Sequence, residues 1–399
     1  MNRMICWEEI IIFICFLISY PFVLQQLIPC PPYTIVFIPI CFLFICSMLY
    51  HRGAKLEKTI MFFFLGQGVY YLFSFIIHND VYYFYRIFYL IFSCAGLSVL
   101  NKKKGIIHFV KIWNYFIASI VVCGVIAFFL VLFGKSLVEI PFQNIDTRPA
   151  MCFGLTCTNT RIGNMIRFAG YFDEPGAMAF WGVYSLILNK LFVKSSKVEW
   201  ILIIGLLFTF SMAYYIQLFI YVLCFYGNKI KVMLPIIVTS LGLLVYINNS
   251  QNSNYELYRW TLQRFEKNSS GKIETNRDDL SEMAKKTFKT SPIVGMGEDF
   301  VEHSGVYMSD NPFETLAKDG IIGYIVVYSP IFYVMLKSKR RKELLYGALI
   351  LFVGYQQRPF HTYWIHYIML YSFLILSIKE LKRKTNVYGQ LQNNNCYGL

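Results

Sequence analysis

The chain has 399 residues, 56% of them hydrophobic and 18% aromatic, with only 15% charged, whereas a soluble protein averages about 25%. Lys and Arg outnumber Asp and Glu by 37 to 23, giving a net charge of +14. Most of that excess falls in short loops between apolar runs, which is the topology signal of a membrane protein and argues against nucleic acid as the partner.

Apolar runs lie near 10–28, 33–50, 59–77, 82–100, 108–133 and 174–193, then near 198–210, 212–226, 232–247, 319–336, 343–357 and 361–378. Stretches of about 18 or more apolar residues predict transmembrane helices, whereas a β-barrel would show alternating segments of about 10. The first run has no small-residue cleavage site behind it and reads as a span, not a removable signal peptide. Residues 198–226 are ambiguous. A single helix there would put the basic loop "GNKIK" outside, while a hairpin turning near "TFSMAYY" keeps every basic loop on one side. Charge bias therefore favours the hairpin and about 12 spans. The expected fold is all-α: one polytopic transmembrane domain over 1–399, with both termini and the tail 379–399 cytoplasmic. Its outer face carries the short loops "HND" and "QQRPFH" and two long extracytoplasmic loops, 134–173 and 248–318. Long loops between packed elements are usually functional, so activity is expected outside the cytoplasm, away from ATP.

The 11 cysteines sit mostly inside spans, as small hydrophobes, with no C-x-x-C pair or Cys/His array to suggest a metal. Cys152 and Cys157 share the first long loop, either as a disulfide or as two free thiols.

The stretch "RFAGYFDEPGAMAFW", 167–181, places Arg167, Asp173 and Glu174 just ahead of the sixth span. Pro175 suits a first helical turn, and acids at that end favour the helix dipole. Capping explains the acids in part; it does not require two of them plus an arginine. In the second long loop, Leu280, Ala284 and Phe288 recur at helical spacing, predicting a short amphipathic helix ended by Ser291-Pro292. Asp278 and Asp279 open it and Lys285, Lys286 and Lys289 close it, as the dipole prefers. Arg277 is a cation at the wrong end. It either pairs with the adjacent aspartates or serves an external anion, for which the guanidinium fork suits phosphate.

"PIVGMGEDF" resembles a phosphate loop, but no Lys-Ser/Thr follows, so it reads as a Gly-rich turn. Before the tenth span, "EHSGVYMSDNPFETLAKDGIIGY" holds His303, Asp310, Asn311 and Glu314. Asn311-Pro312 reads as a turn and Glu314 as a first-turn acid. His303 is either solvated or, with Asp310 nearby, a general base. Arg264 and Arg358 are further outward-facing cations. Arg86, near the outer end of the fourth span, is either a headgroup ligand or an interface anchor; an unpaired charge in such a place costs up to ~3 kcal/mol.

"RFAGYFDEPG" before a span resembles the Arg-x-x-Gly-x-Phe…Pro signature of bacterial O-antigen and capsule polymerases, of the O-antigen ligase/polymerase superfamily. That family's large outer loop reads Arg, amphipathic helix, Pro-x-x-Gly-x-Gly, then an Asn-containing turn and Gly-Ile/Leu-x-Gly. Here the matching residues are Arg277, "SPIVGMG" and "DNPFETLAKDGIIG", and the resemblance runs from about 160 to 335. It implies a GT-C-like glycosyltransferase that needs no metal, cofactor or nucleotide sugar. Its donor and acceptor would be undecaprenyl-diphosphate-linked oligosaccharides, and its other partners membrane lipid and a chain-length regulator protein. Arg167, Arg277 and Arg264 would clamp the diphosphate. Glu174 is the first choice of base, with Asp310 or His303 second, while Asp173, Asn311, Glu314 and Arg358 would contact substrate. O-antigen ligases share the architecture but transfer glycan to lipid A–core. In many relatives a histidine directly precedes the Asn of the turn; Asp310 stands there instead, which favours polymerase over ligase. A lipid-linked oligosaccharide flippase is the remaining alternative, and no internal repeat supports it.

Overall fold

The computed structural model describes residues 9–10, 12–14, 56–101, 105–140, 149–162, 165–172, 174–227, 229–249, 258, 278–303, 308 and 311–395, some of them through the backbone alone. The first two predicted spans therefore lie almost wholly outside the described residues.

Helices α1 (Lys58–His78) and α2 (Val81–Leu100) form a hairpin through Asn79 and Asp80, and α3 (Gly105–Leu132) follows. After the first long loop come α4 (Pro175–Leu188, continued as a wider turn to Val193), α5 (Ser196–Gly205), α6 (Met212–Tyr226) and α7 (Ile230–Asn249). The second loop carries α8 (Asp278–Thr290) and α9 (Glu298–His303), and the chain ends in α10 (Glu314–Lys337), α11 (Lys342–Gln357) and α12 (Trp364–Asn395). Among the described residues six helices are long and apolar enough to cross a membrane: α1, α2, α3, α4 to Val193, α10, and α12 to Arg383. The protein is a helical, membrane-embedded one.

The spans differ in how much of each the bundle covers. Within its most apolar window α4 is 83% buried and so is α12, whereas α1 is only 33% buried. The first two are central staves; α1 lies at the rim and turns Phe62, Leu65, Val69 and Ile76 outward, where lipid would cover them. In lipid, packing and polar contacts hold helices together. Gln67 of α1 is one such contact. Its amide nitrogen donates to Val326 O (3.2 Å) and Val327 O (3.1 Å) of α10, and its oxygen accepts from Tyr371 of α12 at 2.9 Å. Pro330 lacks the N–H that would have bonded Val326 O, so Gln67 and Ser329 supply donors in its place.

The ambiguous stretch 198–226 does reverse direction. A tight turn at Leu206–Thr209 ends at Phe210, whose φ is 49°, and α6 starts at Met212. Glu199, early in α5, accepts from Tyr221 (2.5 Å) and Tyr226 near the end of α6, so the two helices run antiparallel. With 15 residues, α6 spans about 22 Å, short of the ~30 Å of a bilayer core.

The first long loop adds β-structure that hydropathy did not announce. Strands β1 (Val138–Ile140), β2 (Ala150–Phe153) and β3 (Thr156–Thr158) form an antiparallel sheet in that order, and β4 (Arg161–Ile162) pairs with β5 (Met165–Ile166). Cys152 stands opposite Cys157 across β2 and β3, and a disulfide joins them.

Helix α10 is broken at Gly320 (φ 66°, ψ −172°), a conformation essentially reserved for glycine. The break removes the helical bonds from Ile321 N to Ala317 O and from Ile322 N to Lys318 O. The "PIVGMG" turn replaces each of them. Ile321 N donates to Pro292 O (2.9 Å) and Ile322 N to Ile293 O (3.1 Å). In return Met296 N donates to Ala317 O and Gly297 N to Lys318 O, both at 3.0 Å. Backbone freed near a membrane must find partners in protein. The Gly-rich turn and the "GIIG" break are therefore mates, and the turn fastens the second loop to its span.

Candidate functional site

All four predicted outer segments meet at one end of the bundle. From the "HND" corner, His78 Nε2 donates to Val294 O at 3.2 Å. Asp80, buried, caps two helices at once. Its Oδ1 accepts from Tyr82 N of α2 at 2.9 Å, and its Oδ2 from Glu298 N and Asp299 N of α9, each at 2.8 Å. A side-chain acceptor at a helix start meets amides that have no partner within the helix.

Beneath this corner lies a buried charge cluster centred on Asp319, the last residue before the break. Arg86 of α2 donates from Nη1 to Asp319 Oδ1 (2.9 Å) and from Nη2 to Glu298. Tyr83 donates to the same Oδ1 at 2.9 Å, and His361, from the "QQRPFH" turn, lies with Nε2 3.0 Å from Asp319 Oδ2. Lys318 reaches Glu314 at 2.8 Å and Glu298 at 3.4 Å. Burial by itself would raise the Glu298 carboxyl; Arg86 and then Lys318 outweigh it and hold the group below the usual carboxylate range. Arg86 is thus neither headgroup ligand nor surface anchor: it is 1% exposed and doubly paired. Removing one partner from such a cluster strands the others, at a cost of about 3–5 kcal/mol.

A second cation–carboxylate pair stands at the mouth. Glu174 is the N-cap residue of α4 and forms an ion pair with Arg358, buried at the end of α11. The carboxylate remains 40% exposed. Pro175 opens the helix, as its locked φ allows. Gly176 matters for another reason: a Cβ there would overlap the Arg358 guanidinium. "EPG" is thus a socket, with an acid to receive the guanidinium, a proline to start the helix and a glycine to leave room.

Arg167 has a different attachment. Its Nε donates to Thr209 O (2.9 Å) and its Nη2 to Phe210 O (3.1 Å), the carbonyls at the tip of the α5–α6 hairpin. It ties the first long loop to that tip. Asn311 is also turned inward. Its Oδ1 accepts from Phe313 N (2.9 Å) and its Nδ2 donates to Met308 O (2.5 Å), building the turn into α10. Glu314 lies in the first turn of α10, bound to Lys318. Asp173, Arg264, Arg277 and Asp310 lie outside the described residues, and of His303 the structure describes only the backbone at the end of α9.

Asp80, Glu298, Lys318, Asp319 and His361 were not singled out from the sequence. The signal available was Arg86, a cation beside an apolar run, which demands a buried counter-charge without saying where. Chemically, the buried cluster can fix loop positions. The Glu174–Arg358 pair can also meet a ligand, offering an anion site and a proton acceptor together. Among the described residues no group of three or more His, Cys, Asp or Glu is arranged to hold a metal ion. No known family, curated protein or solved structure matches this chain.

Proposed function

We propose that the protein is a polysaccharide polymerase that joins undecaprenyl-diphosphate-linked repeat units, by glycosyl transfer, on the extracytoplasmic face of a bacterial membrane. The observation that carries this reading is the half-exposed Glu174 carboxylate paired with the buried Arg358, in the segment that resembles the polymerase signature. The acceptor sugar hydroxyl attacks the anomeric carbon of the donor. The bond from that carbon to the diphosphate oxygen breaks, and undecaprenyl diphosphate leaves with the electron pair. Glu174 takes the hydroxyl proton. Arg358, with Arg264 and Arg277, neutralises charge growing on the leaving group. In this reading the incoming diphosphate competes with Glu174 for Arg358, so donor binding frees the base when it is needed. Arg167 contributes by holding the hairpin tip, given its two carbonyl partners.

A transporter would place its broken helix and charged groups near the bilayer midplane. Asp319 is the sixth residue of α10, about 8 Å from its predicted outer end, which favours the enzyme reading. The test is gel analysis of surface polysaccharide from a deletion strain. Loss of the polymerase is expected to leave single repeat units on the acceptor, restored to long chains by the wild-type gene but not by Glu174→Gln. Uncapped acceptor would indicate a ligase instead, and unchanged chains would exclude both.

A further inference from the structure

The second long loop has surface features that glycosyl transfer does not use. Helix α8 packs Ala284 and Phe288 against Met308, Phe313 and Ala317, so it lies beside the first turns of α10, where that span meets the membrane edge. Its C-terminal half exposes Lys285, Lys286 and Lys289. Lys285 stands 4.9 Å from the Phe313 ring centre, and Lys286 is 3.6 Å from the exposed Glu282.

Directly after this basic end, Ile293 is 61% exposed. Its carbonyl holds Ile322 N, and Ile322 shares an exposed apolar face of α10 with Ile321 and Ile325. Farther along, α9 is fastened to α2 through Asp80 and Arg86 and leaves Phe300 45% exposed. The neighbouring start of α2 exposes Val81, Phe84 and Tyr85. The outward faces of two spans thus continue, without a polar gap in these residues, onto the loop. A span's outward apolar face is covered by lipid, so its continuation belongs to the same apolar layer. Lysines at the rim of such a layer reach phosphate oxygens while their stems stay in apolar surroundings.

We propose that residues 283–300 are a lipid-docking surface. Met283, Ile293 and Phe300 enter the apolar edge of the outer leaflet, and Lys285, Lys286 and Lys289 engage the phosphates of anionic phospholipids. A protein partner would have to interrupt a strip shared with lipid-facing spans; a bilayer extends it. The inference does not depend on the polymerase reading.

The test uses the full-length protein in nanodiscs of phosphatidylcholine with or without phosphatidylglycerol. The photo-crosslinker p-benzoylphenylalanine replaces Ile293 or Phe300, with Leu65 as the lipid-facing reference and Glu282 as the water-facing one; adduct yields are normalised to protein retained in the disc. Yields at 293 and 300 comparable to that at 65 are expected. The triple change Lys285→Ala, Lys286→Ala, Lys289→Ala should lower the yield at 293 several-fold in phosphatidylglycerol discs and leave phosphatidylcholine discs unaffected. Yields at 293 and 300 as low as that at 282 would overturn the insertion. An equal response of the triple variant in both lipids, or none in either, would overturn the headgroup contact. Crosslinks to another protein instead of lipid would assign the surface to a protein partner.

Discussion

Two guanidinium–carboxylate sites lie at the same end of this bundle, and they differ in exposure. Around Asp319 the charges of Arg86, Lys318, Glu298 and Glu314 are buried together and answered by one another. At the mouth a buried Arg358 meets a single carboxylate, Glu174, 40% of which faces outward. A closed cluster has no capacity for a ligand and every reason to hold its elements in place. A half-open pair costs less to separate and offers both partners to an incoming substrate. The residue types are alike; exposure separates architecture from chemistry.

That contrast can be broken experimentally. The largest effect is expected at Glu174. In the polymerase reading, Glu174→Gln should slow elongation by about 10²–10⁴-fold, the usual worth of a general base, while thermal stability shifts by no more than about 1 kcal/mol because the group is partly exposed. A comparable loss of stability would move Glu174 into the architectural class. Next is Arg86→Ala, which leaves Asp319 and Glu298 without their shared cation and should destabilise the detergent-solubilised protein by about 3–5 kcal/mol in thermal unfolding. Gly320→Ala forces a left-handed position on a side chain and drives its Cβ into Ile293 O, a strain of about 1–3 kcal/mol. Hydrogen exchange over 292–297 should rise in that variant more than over α4.

Asp80→Ala removes the cap from two helices, about 1 kcal/mol each, and should raise exchange in 298–303. The smallest effect is on pH. Glu298 has a lowered carboxyl pKa in the folded protein, so its contribution to stability is present above the ordinary carboxylate value and lost as pH falls through the folded one. The acid limb of a melting-temperature profile, below about pH 4, should flatten in Glu298→Gln.

The sequence made some of this plain and hid the rest for reasons of distance. Apolar runs at 59–77, 82–100, 108–133, 174–193, 319–336 and 361–378 correspond to the six long helices, because hydropathy is local information. The reversal near "TFSMAYY" was legible from loop charge, and α8 from its apolar spacing. The five short strands were not, since a sheet of three- and four-residue strands leaves almost no periodicity. Arg86 finds Glu298 and Asp319 more than 200 residues away, and Arg358 finds Glu174 at a similar remove, so no local pattern announces either pair. The Pro-x-x-Gly-x-Gly and Gly-x-x-Gly segments could each be seen. That one repairs the backbone of the other follows only from the break at Gly320.

The most direct test of the central claim is elongation by the purified protein. Reconstituted in liposomes with undecaprenyl-diphosphate-linked repeat units taken from a deletion strain of its own host, the wild type should convert single units into a ladder of lengthening chains. Glu174→Gln, equally folded by thermal unfolding, should leave the units single. Wild-type protein that leaves them single, or a ladder from Glu174→Gln at the wild-type rate, would contradict the account.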